Sequence, residues 1–339
     1  MLDIEQPEQL VAYLCRARLI GEHEHVSTRV LTGGVSNRTV LVERPDGTRW
    51  VIKQALAKLR VAVDWYSDPS RIEREALALR WLSVLAPPGT IMPLIFGDPD
   101  HHIIGMAAVT EPHENWKTML LGGKLTMDHV EQFGRLLGAI HGHAAERRAE
   151  VEPIFADQSF FESLRLEPYY SYAADQAPKS AVFYASLIAD TRGRRHTLVH
   201  GDYSPKNVLV HQGRLVLLDH EVIHFGDPAF DLGFSLTHFL SKAHHLPEQR
   251  KAFAAAALHY WNTYISALGT VSFGADLESR ATRHTLGCLL ARVAGRSPLE
   301  YLDAWERQRQ QAVVLALMGR PPKTVAELVQ SFVAGIEHE

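Results

Sequence analysis

Three observations in the sequence predict an α+β fold in two lobes. Short apolar runs alternate with turns through the first hundred residues, as in a small antiparallel sheet. One helical repeat of apolar residues interrupts that series. Beyond about residue 111, apolar residues recur mostly at helical spacing. The expected division is an N-terminal lobe of sheet plus helix over 1–110 and a mostly helical C-terminal lobe over 111–339.

The elements follow in order. VSTRVL (26–31) and RTVLVER (38–44) flank TGGVSN, and PDG then turns the chain into TRWVIKQA (48–55), where apolar and polar residues alternate. From Ser70, residues Ile72, Ala76, Leu79, Leu82 and Leu85 recur at helical spacing, with Pro69 near the start and PPG at the end. IMPLIF (91–96) and HIIGMAAV (102–109) resume the strands, and TEPHEN (110–115) reads as the link between lobes. Helical patterns then cover MDHVEQFGRLLGAIHGHAAERR, 251–268 and 282–295. The exception is 197–219, where VLV and RLVLL enclose HQG as a hairpin.

Composition narrows the function. The 339 residues are 46% hydrophobic and 22% charged, enough for a large core, and the net charge of -4 comes with no basic run to follow a phosphate backbone. A nucleic-acid partner is not expected. Cys15 and Cys288 stand alone, the N-terminus carries acids rather than a basic leader, and no apolar run reaches membrane-spanning length. A cytoplasmic protein without a membrane partner is expected; no oligomeric state is assigned.

The stretch DHEVIHFGDPAFD (219–231) contains HEVIH, which fits the HExxH pattern of zinc hydrolases. That site needs a helix to set His220 and His224 on one face, whereas a strand precedes the motif and FGDP follows it. The upstream segment points elsewhere. HGDYSPKN places Asp202 five residues before Asn207, and a hairpin returns the chain to Asp219. This is the order of a phosphotransfer loop: an Asp to orient the acceptor hydroxyl, then an Asn and a strand-end Asp whose hard oxygens hold magnesium. Glu221 would share the side of Asp219 on a strand and could add a ligand.

Taken together, HGDYSPKN, LLDHE and GDPAFDLG resemble the aminoglycoside phosphotransferase superfamily, the protein-kinase-like small-molecule kinases that include choline and methylthioribose kinases. The resemblance implies a bilobal protein-kinase-like fold. It also implies ATP- and Mg2+-dependent phosphorylation of a small-molecule hydroxyl, with GTP left open as the donor. Asp202 is the implied base, Asn207, Asp219 and Glu221 the metal ligands, and His200 and Asp231 the braces of the catalytic loop. In LTGGVSN, Gly33, Gly34, Ser36 and Asn37 resemble a phosphate-binding loop. Lys53 matches the lysine on the α- and β-phosphates, with Glu75 as its partner and Glu73 as competitor, and the base is expected along Ala108–Glu111. For the acceptor, Arg292 and Arg296 are candidates, with Tyr260 and Trp261 behind them. A nucleotide-binding pseudokinase and an HExxH zinc hydrolase are the alternatives; a protein-substrate kinase ranks below a small-molecule kinase because no APE-type segment follows Asp219.

Overall fold

The structure is a computed structural model that describes residues 2–32, 34–61 and 64–337. Strands β1 (Ser27–Val30), β2 (Asn37–Glu43) and β3 (Arg49–Ala55) form an antiparallel meander, which β4 (Leu94–Asp98) and β5 (Ile103–Ala107) extend to the order β1-β2-β3-β5-β4. Side chains alternate across this sheet, so each face acquires its own core. Val40, Val42, Trp50, Ile52 and Ile103 pack against helix α1 (Pro7–Arg16), an element the sequence reading did not include. On the other face Val51, Ile104 and Met106 meet Ile72 and Leu79 of helix α2 (Arg71–Leu85). Lys53 follows Val51 by two residues and therefore points toward α2.

The linker does not stay irregular. Its end forms strand β6 (His113–Asn115), followed by helix α3 (Trp116–Leu121), whose first turn is capped by the Asn115 side chain accepting from the Thr118 amide at 3.4 Å. The long helix α4 (Met127–Glu146) comes next. A run of shorter pieces then crosses the lobe: α5 (Arg148–Phe155), α6 (Ser159–Phe161), a π-helical segment over Glu162–Ser171, α7 (Tyr172–Gln176) and α8 (Ala181–Gly193).

Strand β7 (Thr197–Val199) leads into the HGDYSPKN segment, and β8 (Val208–His211) and β9 (Arg214–Leu217) form the expected hairpin, with β6 on its outer edge. Gln212 and Gly213 both have positive φ, at 49° and 75°, as a tight hairpin turn requires. The chain then pairs β10 (His224–Gly226) with β7 and enters helix α9 (Ala229–His245). Helices α10 (Arg250–Ala267), α11 (Leu277–Ala294), α12 (Ala304–Gly319) and α13 (Val325–Glu337) complete the lobe. Helix α9 is buried along nearly its whole length between α10 and α11, so any polar side chain on it must find a partner inside the protein.

Candidate functional site

One cavity of about 680 Å³ lies between the lobes, and its wall includes Lys53, Met106 and Val109 from the first lobe and Asn207, Asp219 and Lys117 from the second. Gly34, Ser36 and Asn37 also line it, while Gly33 lies outside the described residues.

At its back, Lys53 Nζ donates to Glu75 Oε1 at 2.7 Å and to Asp219 Oδ1 at 2.6 Å. Glu73 points to solvent and takes no part. The three charged groups are interdependent. Burial works against the ionised carboxyl of Asp219, but the adjacent ammonium outweighs it and holds that carboxyl well below the usual range. Burial, reinforced by the negative charges of Asp219 and Glu221, pushes Glu75 up to about 7 against the pull of Lys53. Asp219 itself has φ 66°, a conformation that non-glycine residues rarely adopt.

That backbone reversal corrects the placement of Glu221. Strand β9 ends at Leu217, so the alternation that would have set Glu221 beside Asp219 is lost. Instead Glu221 Oε2 accepts from Asn37 Nδ2 at 3.0 Å and from Arg71 Nε at 3.1 Å, and the residue does not line the cavity. Arg71 is fully buried and also donates to the carbonyls of Ser36, Leu56, Ser67 and Asp68. Glu221 is thus its counter-charge, and the pair ties the first lobe's glycine loop to the second lobe.

The HGDYSPKN segment is braced from below. Asp231, fully buried at the start of α9, accepts from the amides of His200 and Gly201 at 2.6 and 2.8 Å and faces His141 Nε2 at 3.2 Å. Gly201 has φ 78°, and a Cβ there would sit 2.9 Å from Val222 Cγ1, so the turn requires glycine. His200 Nδ1 accepts from the Asp202 amide at 3.2 Å, which places its proton on Nε2, facing His220 Nδ1 at 3.1 Å. Asn207 Nδ2 donates to the Asp202 carbonyl at 3.0 Å and to its Oδ2 at 2.7 Å. With its NH2 group committed, Asn207 keeps its amide oxygen for another partner.

One residue at this centre escaped the sequence. Arg165, in the π-helical segment, sits 2.9 Å from Asp202 Oδ2 and donates through Nε to the Gly201 carbonyl at 2.7 Å. It belongs to no motif, and only the tertiary path of 148–193 delivers it. The acceptor candidates fare differently from one another. Arg292 is buried, donates to the Ser297 carbonyl at 2.7 Å and lies over the rings of Tyr169 and Phe234; Arg296 pairs with Glu167 at 2.8 Å. Neither lines the cavity. Tyr260 is a core residue packed against Phe133 and Phe239, and Trp261 lies beside Tyr264.

The zinc alternative fails on geometry. His220 lies in a loop and His224 on β10, where it stacks on Phe161 at 4.0 Å, so no helix aims the two imidazoles at one point. Among the described residues no three His, Cys, Asp or Glu side chains converge as a metal cluster, and no helix is long and apolar enough to cross a membrane. The donor set at the cavity suits a hard cation better. Asp219 has one oxygen on Lys53 and the other uncommitted among the described residues, and Asn207, whose amide oxygen takes no partner among the described residues, lines the same cavity, an all-oxygen pair suited to magnesium.

Comparison with known proteins agrees with this architecture. The profile of the phosphotransferase enzyme family matches residues 27–267. A methylthioribose kinase of Yersinia pestis (strain Pestoides F) is 26% identical over 323 residues, covering 78% of this chain and 77% of that protein. The fold resembles that of a choline/ethanolamine kinase family protein from Mesorhizobium loti (TM-score 0.55, 14% identity, 97% of this chain and 98% of that one). It also resembles an amicoumacin kinase solved with AMP-PNP and Ca2+ (TM-score 0.56, 14% identity, 96% and 97%). The chain belongs to the phosphotransferase enzyme family and is a kinase of protein-kinase-like fold.

Proposed function

We propose that the protein transfers the γ-phosphoryl group of ATP, with magnesium, to a hydroxyl of a small molecule. The observation that carries this reading is the set of groups around one cavity: Lys53 held by Glu75 and Asp219 at its back, with Asn207 hydrogen-bonded to Asp202 beside it. Phosphoryl transfer asks mainly for positioning and charge compensation, which this arrangement offers. Lys53 contacts the donor's phosphates, and Glu75 fixes its reach. The backbone of Ala108–Glu111, where Ala108, Val109 and Glu111 line the cavity, holds the base.

Asp219 and Asn207 would hold the magnesium ion. When bound, it neutralises charge on the donor's phosphate oxygens. Arg165 and Asn207 both occupy Asp202 Oδ2, so Oδ1 is the oxygen that accepts the hydrogen of the acceptor hydroxyl. The acceptor oxygen forms its bond to the γ-phosphorus, ADP leaves, and the hydroxyl proton passes to Asp202. We place this activity in the cytoplasm.

The test is ADP release with ATP or GTP against a panel of sugars, amino-alcohols and antibiotics, repeated with EDTA. Turnover that requires magnesium and one acceptor class is expected. Turnover that survives EDTA, or absence of nucleotide binding by the purified protein, would overturn the reading.

A further inference from the structure

The polar groups around Lys242 are not balanced as those at Lys53 are. Lys242, on α9, is fully buried, yet among the described residues its only hydrogen bond is to the carbonyl of His238 on its own helix at 3.3 Å. Its ammonium lies 5.4 Å from the Tyr301 ring, and Lys117 Nζ lies 6.0 Å from the same ring. One turn back along α9, His238 packs on Phe234 at 5.4 Å, and Arg292 lies over that ring at the same distance. His238 Nε2 and Arg292 Nε are buried with no hydrogen-bond partner among the described residues. A buried, unpaired ammonium beside unsatisfied polar nitrogens costs stability, which a protein tolerates where a ligand supplies the missing charge.

Among the described residues, the carboxylate that offsets the charge of Lys242 is Glu300, which pairs with Lys117. It is a surface residue, its side chain about two-thirds exposed, and it borders the cavity together with Lys117 and Lys206. Burial, with the like charges of Lys117 and Arg292, pulls the Lys242 ammonium down to about 7, and Glu300 only partly offsets this. Glu300 therefore stands where an anionic group of a ligand entering from the cavity would first meet these cations, and it can swing outward into solvent.

We propose that the acceptor carries an anionic group, a phosphate or a carboxylate, in addition to the hydroxyl it offers to Asp202, and that Lys117 at the cavity wall binds that group in place of Glu300, with the buried charges of Lys242 and Arg292 behind it. This rests on the phosphotransfer reading of the site. Cationic acceptors would meet repulsion at this end of the cavity, because Lys117 and Lys206 at its wall, with Lys242 and Arg292 behind, outnumber Glu300.

The experiment uses the full chain with magnesium and ATP against matched acceptors: glycerol, glycerate, glycerol 3-phosphate and choline, with ribose and ribose 5-phosphate as a second set. Turnover is read as ADP release. Binding is read by calorimetry with AMP-PNP present, inorganic phosphate serving as a minimal anion. Anionic members should exceed their neutral parents at least about tenfold in kcat/KM, as one desolvated ion pair supplies. Comparing the phosphate and carboxylate members tells the two anions apart. Lys242→Met should remove that preference through KM while leaving the KM for ATP unchanged. Free of ligand it should melt above the wild type, since it deletes an unpaired buried charge. Preference for neutral or cationic members, or an equal loss on all of them in Lys242→Met, would overturn the inference while leaving the kinase reading standing. Failure to bind AMP-PNP would overturn the kinase reading itself, and failure of Lys242→Met to weaken phosphate binding would overturn the anion site whatever the reaction.

Discussion

Two buried lysines, one in each lobe, live under opposite conditions. Lys53 lies between Glu75 and Asp219 at 2.7 and 2.6 Å, whereas Lys242 meets a carbonyl of its own helix and the ring of Tyr301. Burial pushes both ammonium groups down. At Lys53 the two carboxylates reverse that and hold it well above the ordinary range; at Lys242 nothing nearby does. The same residue type at similar burial is thus a fixed strut in one place and, in the proposal above, a ligand's counter-charge in the other. Hydrogen-bond partners, more than burial, separate the two roles.

The largest effect expected of any substitution falls on neither lysine. Asp202→Ala should lower kcat by about 10³-fold, the scale of losing an oriented acid–base group, with nucleotide affinity unchanged by calorimetry. Equal loss of nucleotide binding would mean that Asp202 belongs to the Lys53 side. Next, Lys53→Met should cost about 3 kcal/mol in urea unfolding, because it leaves the Glu75 and Asp219 carboxylates buried without their cation. Lys242→Met should move stability in the opposite direction. If both variants shifted stability the same way, the contrast would be broken.

Acidification acts on a third set of buried groups in the second lobe. Burial holds His224 and His284 at about 4, below the 6.5 of an exposed imidazole, so the unfolded chain binds more protons between those values. Their contribution is therefore present above pH 6.5 and is lost as pH falls through 4, on the order of 3 kcal/mol for each when complete. Urea midpoints measured from pH 7 to 4 should fall steadily; a flat profile would show these imidazoles to be solvated. Gly201→Ala is smaller in stability, about 1–2 kcal/mol for the left-handed backbone plus a contact with Val222, yet it should reduce turnover further because it displaces Asp202. Glu73→Ala, at an exposed position, should change stability by less than about 0.5 kcal/mol and leave turnover alone.

Local chemistry decided what could be read in advance. The β2–β3 alternation, the α2 repeat and the Gln212–Gly213 turn depend on near neighbours, so their spacing was visible in the chain. Glu75 was preferred to Glu73 by resemblance, and the apolar repeat of α2 supports the same choice, since Glu75 lies three residues after Ile72 and four before Leu79 on the face that meets the sheet. Glu221 was misplaced because strand alternation was carried past Leu217 into a residue with φ 66°. Arg165 and Lys242 lie in stretches with no motif, and their neighbours come from segments about forty to sixty residues or more away. Helix α1 was missed although Leu10, Tyr13 and Leu14 have helical spacing and Pro7 stands at its start.

The central claim is a magnesium-dependent nucleotide site built on Lys53, Asp219 and Asn207. Its most direct test is calorimetric titration of AMP-PNP, with magnesium and with EDTA, into the wild type, Asp219→Asn and Asp202→Asn. The account predicts tight binding with magnesium for the wild type and Asp202→Asn, and loss of the magnesium dependence in Asp219→Asn. Magnesium-dependent binding that persists unchanged in Asp219→Asn would contradict it.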